Sequence, residues 1–374
     1  HFSPPVWQRW VLPAPRLGGG LIVFHIWLSG IGMYGWLRSE GAERMGALFG
    51  GVIYAFSGYF AVRIFAGHLG VVMTLAWLPM LYWAYKVALQ RNSYAAAVLA
   101  GIVMALAFLA GHTASFLYLG LALAAYALYQ AWKSWRETQE PSAGLRPLLL
   151  GAVMFLTGLG LGAVQLLPTW EFVSLSTRQA GDYAFAANHS WPPGYLVTLF
   201  IPNFFGEPGQ VGYWGDGVYE ELILYAGVLP LVLILALGFG KAARNKLTGF
   251  LLFLGGIGLL LALGQFGILH RLAYNFLPVF GSMRAPARAG FLLTFAVAGL
   301  GGLLLSWLLR EPDNAAAEIG GWLKGPVPWL VAVVTVLIVL GGFLVFALQR
   351  DSNPEAGRLW HIANNGALFL LFFL

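Results

Sequence analysis

The chain has 374 residues, of which 59% are hydrophobic and 10% charged, with no Cys and a net charge of +6. A soluble domain carries roughly 25% charged residues, so a soluble enzyme is excluded, as are a disulfide scaffold, a thiolate metal site and a Cys nucleophile. The 15% aromatic content excludes a disordered polymer. A bilayer core of about 30 Å needs around 20 apolar residues per helix. Runs of that kind lie near 17–37, 46–62, 68–90, 94–111, 112–132, 145–168, 221–239, 247–265, 289–309 and 326–347, and another begins near 365. The runs are continuous, whereas a lipid-facing barrel strand alternates. The expected fold is therefore all-α, a polytopic transmembrane bundle of about ten or eleven spans.

Charge orients such a bundle, because cytoplasmic loops collect Lys and Arg. The loops 38–45, 86–94, 133–146, 240–246 and 310–325 hold the majority of the 21 basic residues and are read as cytoplasmic. The segments 1–16, 63–67, 169–220, 266–288 and 348–364 then lie outside. The +6 charge is scattered through short loops, which is membrane topology and no sign of nucleic acid. Four parts are expected: 1–16 as the tail of an outer loop, 17–168 as a six-helix core, 169–220 as an extracytoplasmic cap, and 221–374 as a second bundle. The cap, between the sixth and seventh visible spans, is rich in Trp, Tyr, Phe, Pro and Gly and reads as folded. The chain opens at His1 and stops inside the apolar run Leu368–Leu374, which reads as a fragment with at least one helix missing upstream.

Three groups of residues have chemistry to offer. Ala66-Gly67-His68 and Ala110-Gly111-His112 echo each other at outer helix ends, and His25 lies near the same level. Imidazoles there bind metal, move protons or hold phosphate; equally, each caps a helix or meets a carbonyl. The string Gln165-Leu-Leu-Pro168-Thr-Trp-Glu171-Phe-Val-Ser174-Leu-Ser176-Thr-Arg178 follows an expected helix end near Pro168. A short interfacial helix over 168–178 would put Glu171, Ser174 and Arg178 on one face, as base and anion clamp or as a surface ion pair. Phe280-Gly-Ser-Met-Arg284-Ala-Pro-Ala-Arg288 places two Arg four apart against the positive-inside trend, suited to phosphate or to snorkelling. No nucleotide loop, H-E-x-x-H or EF-hand loop is present. No pair of interrupted helices is evident, which weighs against a secondary transporter.

The order of several short motifs resembles the YfhO-type family of bacterial membrane proteins, related to the GT-C glycosyltransferases. The carrying residues are His25-Ile-Trp-Leu-Ser-Gly-Ile-Gly-Met-Tyr34, Ala66-Gly-His68 with Trp77-Leu-Pro79, and Ala110-Gly-His112. They continue with Leu167-Pro168, Glu171, Ser176-Thr-Arg178, Ile201-Pro-Asn-Phe-Phe-Gly206, Tyr225-Ala-Gly227 and Arg284-Ala-Pro-Ala-Arg288. The resemblance implies an enzyme of the bacterial cytoplasmic membrane. It would move a sugar from a polyprenyl-phosphate donor to an envelope polymer, lipid or protein at the outer face.

The resemblance also implies a main acidic base upstream of His1. Of the residues present, Glu171, His68 and His112 are the catalytic candidates. Arg178, Arg284, Arg288, Gln165, Ser176 and His25 are candidates for binding phosphate and substrate. No metal-ligand set is expected; a divalent Mg or Mn ion is the only cofactor considered. The alternatives are a lipid-linked sugar transporter or flippase, and a non-catalytic scaffold of envelope assembly.

Overall fold

The computed structural model describes residues 14–175, 182–208, 212–213, 215, 217–277, 280–326 and isolated positions from 328 onward. Every regular element among the described residues is helical, so the chain is an all-α bundle. In chain order the first half comprises α1 (Ala14–Ser39), α2 (Arg44–Ala55), α3 (Gly58–Phe65), α4 (Leu69–Ala76), α5 (Leu78–Gln90), α6 (Tyr94–Leu109), α7 (Thr113–Thr138) and α8 (Pro141–Ser174). The second half adds α9 (Tyr183–Ala186), α10 (Tyr219–Leu222), α11 (Val228–Leu237), α12 (Lys246–Ala262), α13 (Ile268–Phe276), α14 (Phe291–Arg310) and α15 (Pro312–Leu323). Six helical stretches among the described residues are long and apolar enough to cross a membrane: Gly18–Ser39, Arg44–Phe65, Leu69–Gln90, Thr113–Thr138, Pro141–Ser174 and Pro286–Arg310. Shorter apolar helices span Tyr94–Leu109, Val228–Leu237 and Lys246–Ala262. Most of the candidate spans near 326–347 and 365, the tail before Ala14, and Ser176 and Arg178 lie outside the described residues.

In lipid, helices gain little from hiding one apolar surface against another, so close backbone approach matters. The crossing of α2 and α14 shows it. A Cβ on Gly46 would collide with the Gly302 carbonyl, and one on Gly50 would stand 2.8 Å from the Ala298 carbonyl. The four-residue spacing of the two glycines puts both on the face toward α14. The Ser306 hydroxyl then accepts the Glu43 N–H at 3.0 Å and donates to the Gly302 carbonyl at 2.7 Å.

Three details differ from the sequence expectation. First, two spans are interrupted. Arg44–Phe65 breaks at Phe56–Ser57, and Leu69–Gln90 breaks at Trp77, just before Pro79. Broken backbone at membrane depth needs partners, and the Tyr225 carbonyl supplies one to the Gly58 N–H at 2.9 Å. Second, the helix expected to end near Pro168 runs on to Ser174. Pro168 removes one donor, and the Thr169 hydroxyl donates to the Gln165 carbonyl at 2.7 Å in the same turn. At roughly 1.5 Å per residue α8 exceeds the hydrocarbon thickness by well over a turn. Third, the run expected as a span from 221 starts as a single turn, α10. Extended backbone follows to Gly227 (φ 102°), and only then does α11 begin. That detour turns Glu221 into the bundle.

Two faces of the bundle follow from the helix ends. One carries the ends at Ser39, Arg44, Gln90, Thr138 and Arg310, and is called the basic face below. The opposite face carries Phe65, Leu69, Thr113 and Pro286. The segment 182–208 packs there. Trp191 is fully buried, its N–H donates to Ala262 O and its indole Nε1–H donates to Leu222 O, each at 2.8 Å.

Candidate anion-binding cluster

The Arg284-Ala-Pro-Ala-Arg288 segment forms no regular helical face. Ala285 holds a left-handed conformation (φ 63°) and donates its N–H to Asn188 O at 2.9 Å. Pro286 then opens a 3₁₀ turn, Pro286–Gly290. A non-Gly residue with positive φ costs about 1–2 kcal/mol, so this turn is over-determined by its surroundings. Its effect is to send the two arginines apart. Arg284 is exposed, while Arg288 reaches inward.

Inside, Arg288 makes a bidentate pair with Glu221: its Nε donates to Oε2 at 2.9 Å, and its Nη2 donates to Oε1. Arg63 enters from α3, with no exposed surface. Its guanidinium carbon lies 3.4 Å from the centre of the Tyr59 ring. It donates to the Tyr59 carbonyl at 3.1 Å and lies 3.6 Å from Glu221 Oε2. The Tyr59 hydroxyl donates to the Arg288 carbonyl at 3.2 Å, which closes the circuit. Two fixed positive charges therefore share one buried carboxylate. Burial alone would raise the Glu221 pKa; the Arg288 hydrogen bonds and the charge of Arg63 outweigh it and hold the group at about 2. Such a carboxylate is an anchor and a poor general base.

His112 stands just ahead of α7 and completes the cluster. Its Nδ1 accepts the Ser115 N–H at 3.1 Å, and its Nε2 faces Arg288 Nη1 at 3.2 Å. Burial and the nearby Arg288 charge lower its pKa to about 4, so the ring is neutral near pH 7. A neutral imidazole offers one N–H and one lone pair. With the lone pair at Nδ1 serving Ser115, the proton sits on Nε2 and faces a guanidinium N–H. The other tautomer only moves the conflict to the cap. Two further polar atoms, Arg63 Nε and His68 Nδ1, are buried and have no hydrogen-bond partner among the described residues. The Thr74 hydroxyl, on α4, accepts the His112 N–H at 3.3 Å. Two arginines gathered on one hydrogen-bonded carboxylate, with Glu220 within electrostatic reach of Arg63, and mismatched donors are a chemistry that suits an anionic oxygen.

Of the residues singled out in the sequence, His112 and Arg288 meet directly, and His68 lies within electrostatic reach of both His112 and Glu221. His25 is buried elsewhere, its Nδ1 against Leu21 O at 2.8 Å and its ring edge-on to Trp77. Glu171 is exposed on α8 beside Trp170, Phe172 and Leu175, which are also exposed, and Gln165 is half-buried on the same helix. Arg63 and Glu221 escaped the sequence reading. Arg63 was signalled by being a lone charge between two apolar runs, which in a membrane is costly enough to imply a purpose.

An apolar groove of about 380 Å³ runs beside the cluster between α7, α12 and α13, lined among others by Tyr118, Phe253, Ile257, Phe276 and Phe280. Tyr118 at its edge is within electrostatic reach of Arg288, and Leu292 follows Arg288 by one helical turn. Among the described residues no three His, Asp or Glu side chains come together as a metal set. The cluster itself does not suit a divalent ion, because its carboxylate is already bound by two guanidiniums. No family model, curated protein or solved structure matches this chain.

Proposed function

We propose that the chain is a multi-pass membrane glycosyltransferase, similar to the GT-C and YfhO-type proteins. It takes a sugar from a polyprenyl-phosphate donor and passes it to a cell-envelope acceptor on the extracytoplasmic side of a bacterial inner membrane. The carrying observation is the donor conflict that either tautomer of His112 leaves, at Arg288 or at the Ser115 N–H. A phosphate oxygen beside His112 and Arg288 accepts from both Nε2–H and Nη1–H and meets the positive charge of Arg63. The neighbouring apolar groove suits the hydrocarbon part of such a donor.

In the transfer step an acceptor hydroxyl oxygen bonds to the anomeric carbon as the carbon–oxygen bond to phosphate breaks. The electron pair leaves on the phosphate oxygen. Arg288 and Arg63 stabilise that developing charge, and Glu221 holds both guanidiniums in place. The hydroxyl proton is accounted for by the released phosphate, whose second ionisation lies near pH 6. No step requires a metal ion.

The interrupted spans at Phe56–Ser57 and Trp77 favour one rival, a lipid-linked sugar carrier, since broken helices line transporter sites. Reconstitution of the full chain in proteoliposomes with a polyprenyl-phosphate sugar separates the two. The transferase forms a new glycosidic bond and Arg288→Lys loses it. Translocation of donor without a new bond would replace this reading with the carrier.

A further inference from the structure

The basic face holds a second charged site, independent of the transferase reading. A pocket of about 360 Å³ lies where α1, α2 and α14 end, lined by Arg38, Glu43, Arg44, Met45, Leu309 and Arg310. Its one acid is already engaged: Arg310 Nε donates to Glu43 Oε1 at 2.7 Å, and Arg310 Nη2 donates to the Gly41 carbonyl. Arg38 gives one N–H to the Ala42 carbonyl and is otherwise exposed. Arg44 is exposed and, like Arg38, lies within electrostatic reach of Glu43. Three arginines thus share one carboxylate in one recess.

The wall of the same recess is apolar and open. Met45 is 62% and Leu309 50% exposed. From Met45 an exposed apolar stripe continues along α2 through Leu48, Val52 and Phe56, running from the basic face toward the middle of the span. A soluble anion has no use for that stripe, whereas an acyl chain below an anionic head lies along it. Basic recesses between helix ends are suited to lipid phosphates, with each Lys or Arg near the surface worth about fivefold in binding.

We infer that the Arg38–Arg44–Arg310 pocket binds the headgroup of an anionic glycerophospholipid, with an acyl chain laid along Met45, Leu48 and Val52. The test is binding of phosphatidylglycerol and phosphatidylcholine to the purified full chain in detergent, followed by native mass spectrometry. Phosphatidylglycerol should bind more tightly than phosphatidylcholine. Arg44→Gln, which breaks no hydrogen bond among the described residues, should weaken it about fivefold, and the Arg38→Gln/Arg44→Gln pair by a few tens of fold. Arg91→Gln, on the same face outside the pocket, should leave it unchanged. Equal affinity for the two lipids, or unchanged binding in Arg44→Gln and the double variant, would overturn the proposal. Displacement of phosphatidylglycerol by excess inorganic phosphate would also overturn it, because the recess would then be a soluble-anion site.

Discussion

Two buried carboxylates in this bundle occupy opposite ends and have opposite surroundings. Glu40, near the basic face, accepts from the Tyr126 hydroxyl and from Gln130 Nε2 at 2.9 Å, and pairs with Lys86 at 3.0 Å. Trp36 Nε1 in turn donates to the Tyr126 hydroxyl at 3.0 Å, and the Tyr82 and Tyr126 rings stack at 4.3 Å. One negative charge meets one positive charge, and the donors point at acceptors. That network ties the end of α1 to α5 and α7. At the other end Glu221 serves two arginines, His112 faces a donor with a donor, and Arg63 Nε is unpartnered. A low-dielectric interior makes unmatched polar groups expensive. Around Glu40, among the described residues, only the Tyr129 hydroxyl lacks a partner, and the carboxylate itself is matched, which is the pattern of a structural staple.

The largest expected effect is on the carboxylates themselves. Glu221→Ala leaves two buried guanidiniums without a counterion and should cost about 3–5 kcal/mol of stability, read by unfolding of the detergent-solubilised chain in SDS. Glu40→Gln keeps an acceptor for Tyr126 and should cost about 1–3 kcal/mol in the same titration. If the two losses were equal, the contrast between the ends would fail.

Next comes Arg288→Lys, which keeps the charge that balances Glu221 but loses the fork. Stability should stay close to wild type while sugar transfer falls about a hundredfold or more. A proportional loss of both would make Arg288 merely structural.

Acid should then act on the Glu221 end in two windows. The His112 pKa is depressed, so its contribution to stability is complete above the ordinary value of 6.5 and is lost as pH falls toward about 4. The Glu221 pKa is depressed too, so its contribution is complete above 4.5 and lost as pH falls through about 2. His112→Gln should shrink the upper window, to which the buried His270 also contributes, and leave the lower. The smallest effects belong to Glu171→Ala and Arg284→Ala, both exposed, which should leave stability and transfer unchanged. Lost transfer in either would move the site away from the cluster.

Much of the fold was legible because lipid imposes so few solutions. The apolar runs at 17–37, 94–111, 112–132 and 289–309 correspond to α1, α6, α7 and α14 with ends displaced by a few residues. The interruptions were not legible. Ser57 and Trp77 sit within continuous apolar sequence, and the partner that makes the first break tolerable, the Tyr225 carbonyl, is remote in the chain.

The site divides the same way. His112 and Arg288 drew notice by type and by place. Arg284 and Arg288 looked like a matched pair because a four-residue spacing suggests a shared helical face, and the left-handed Ala285 breaks that inference. Glu221 was one of two adjacent acids at the head of an apolar run. Nothing local distinguishes it from Glu220; the single turn α10 and the extended backbone after it do.

We propose that the Arg63–Glu221–Arg288–His112 cluster receives a lipid-borne phosphate. Its most direct test compares the affinity of the full chain for polyprenyl phosphate and for the uncharged polyprenol, in wild type and Arg288→Lys. The account predicts that wild type strongly prefers the phosphate and that the variant loses most of that preference while binding the polyprenol as before. Equal affinity for the two lipids in wild type, or an undiminished preference in the variant, would contradict it.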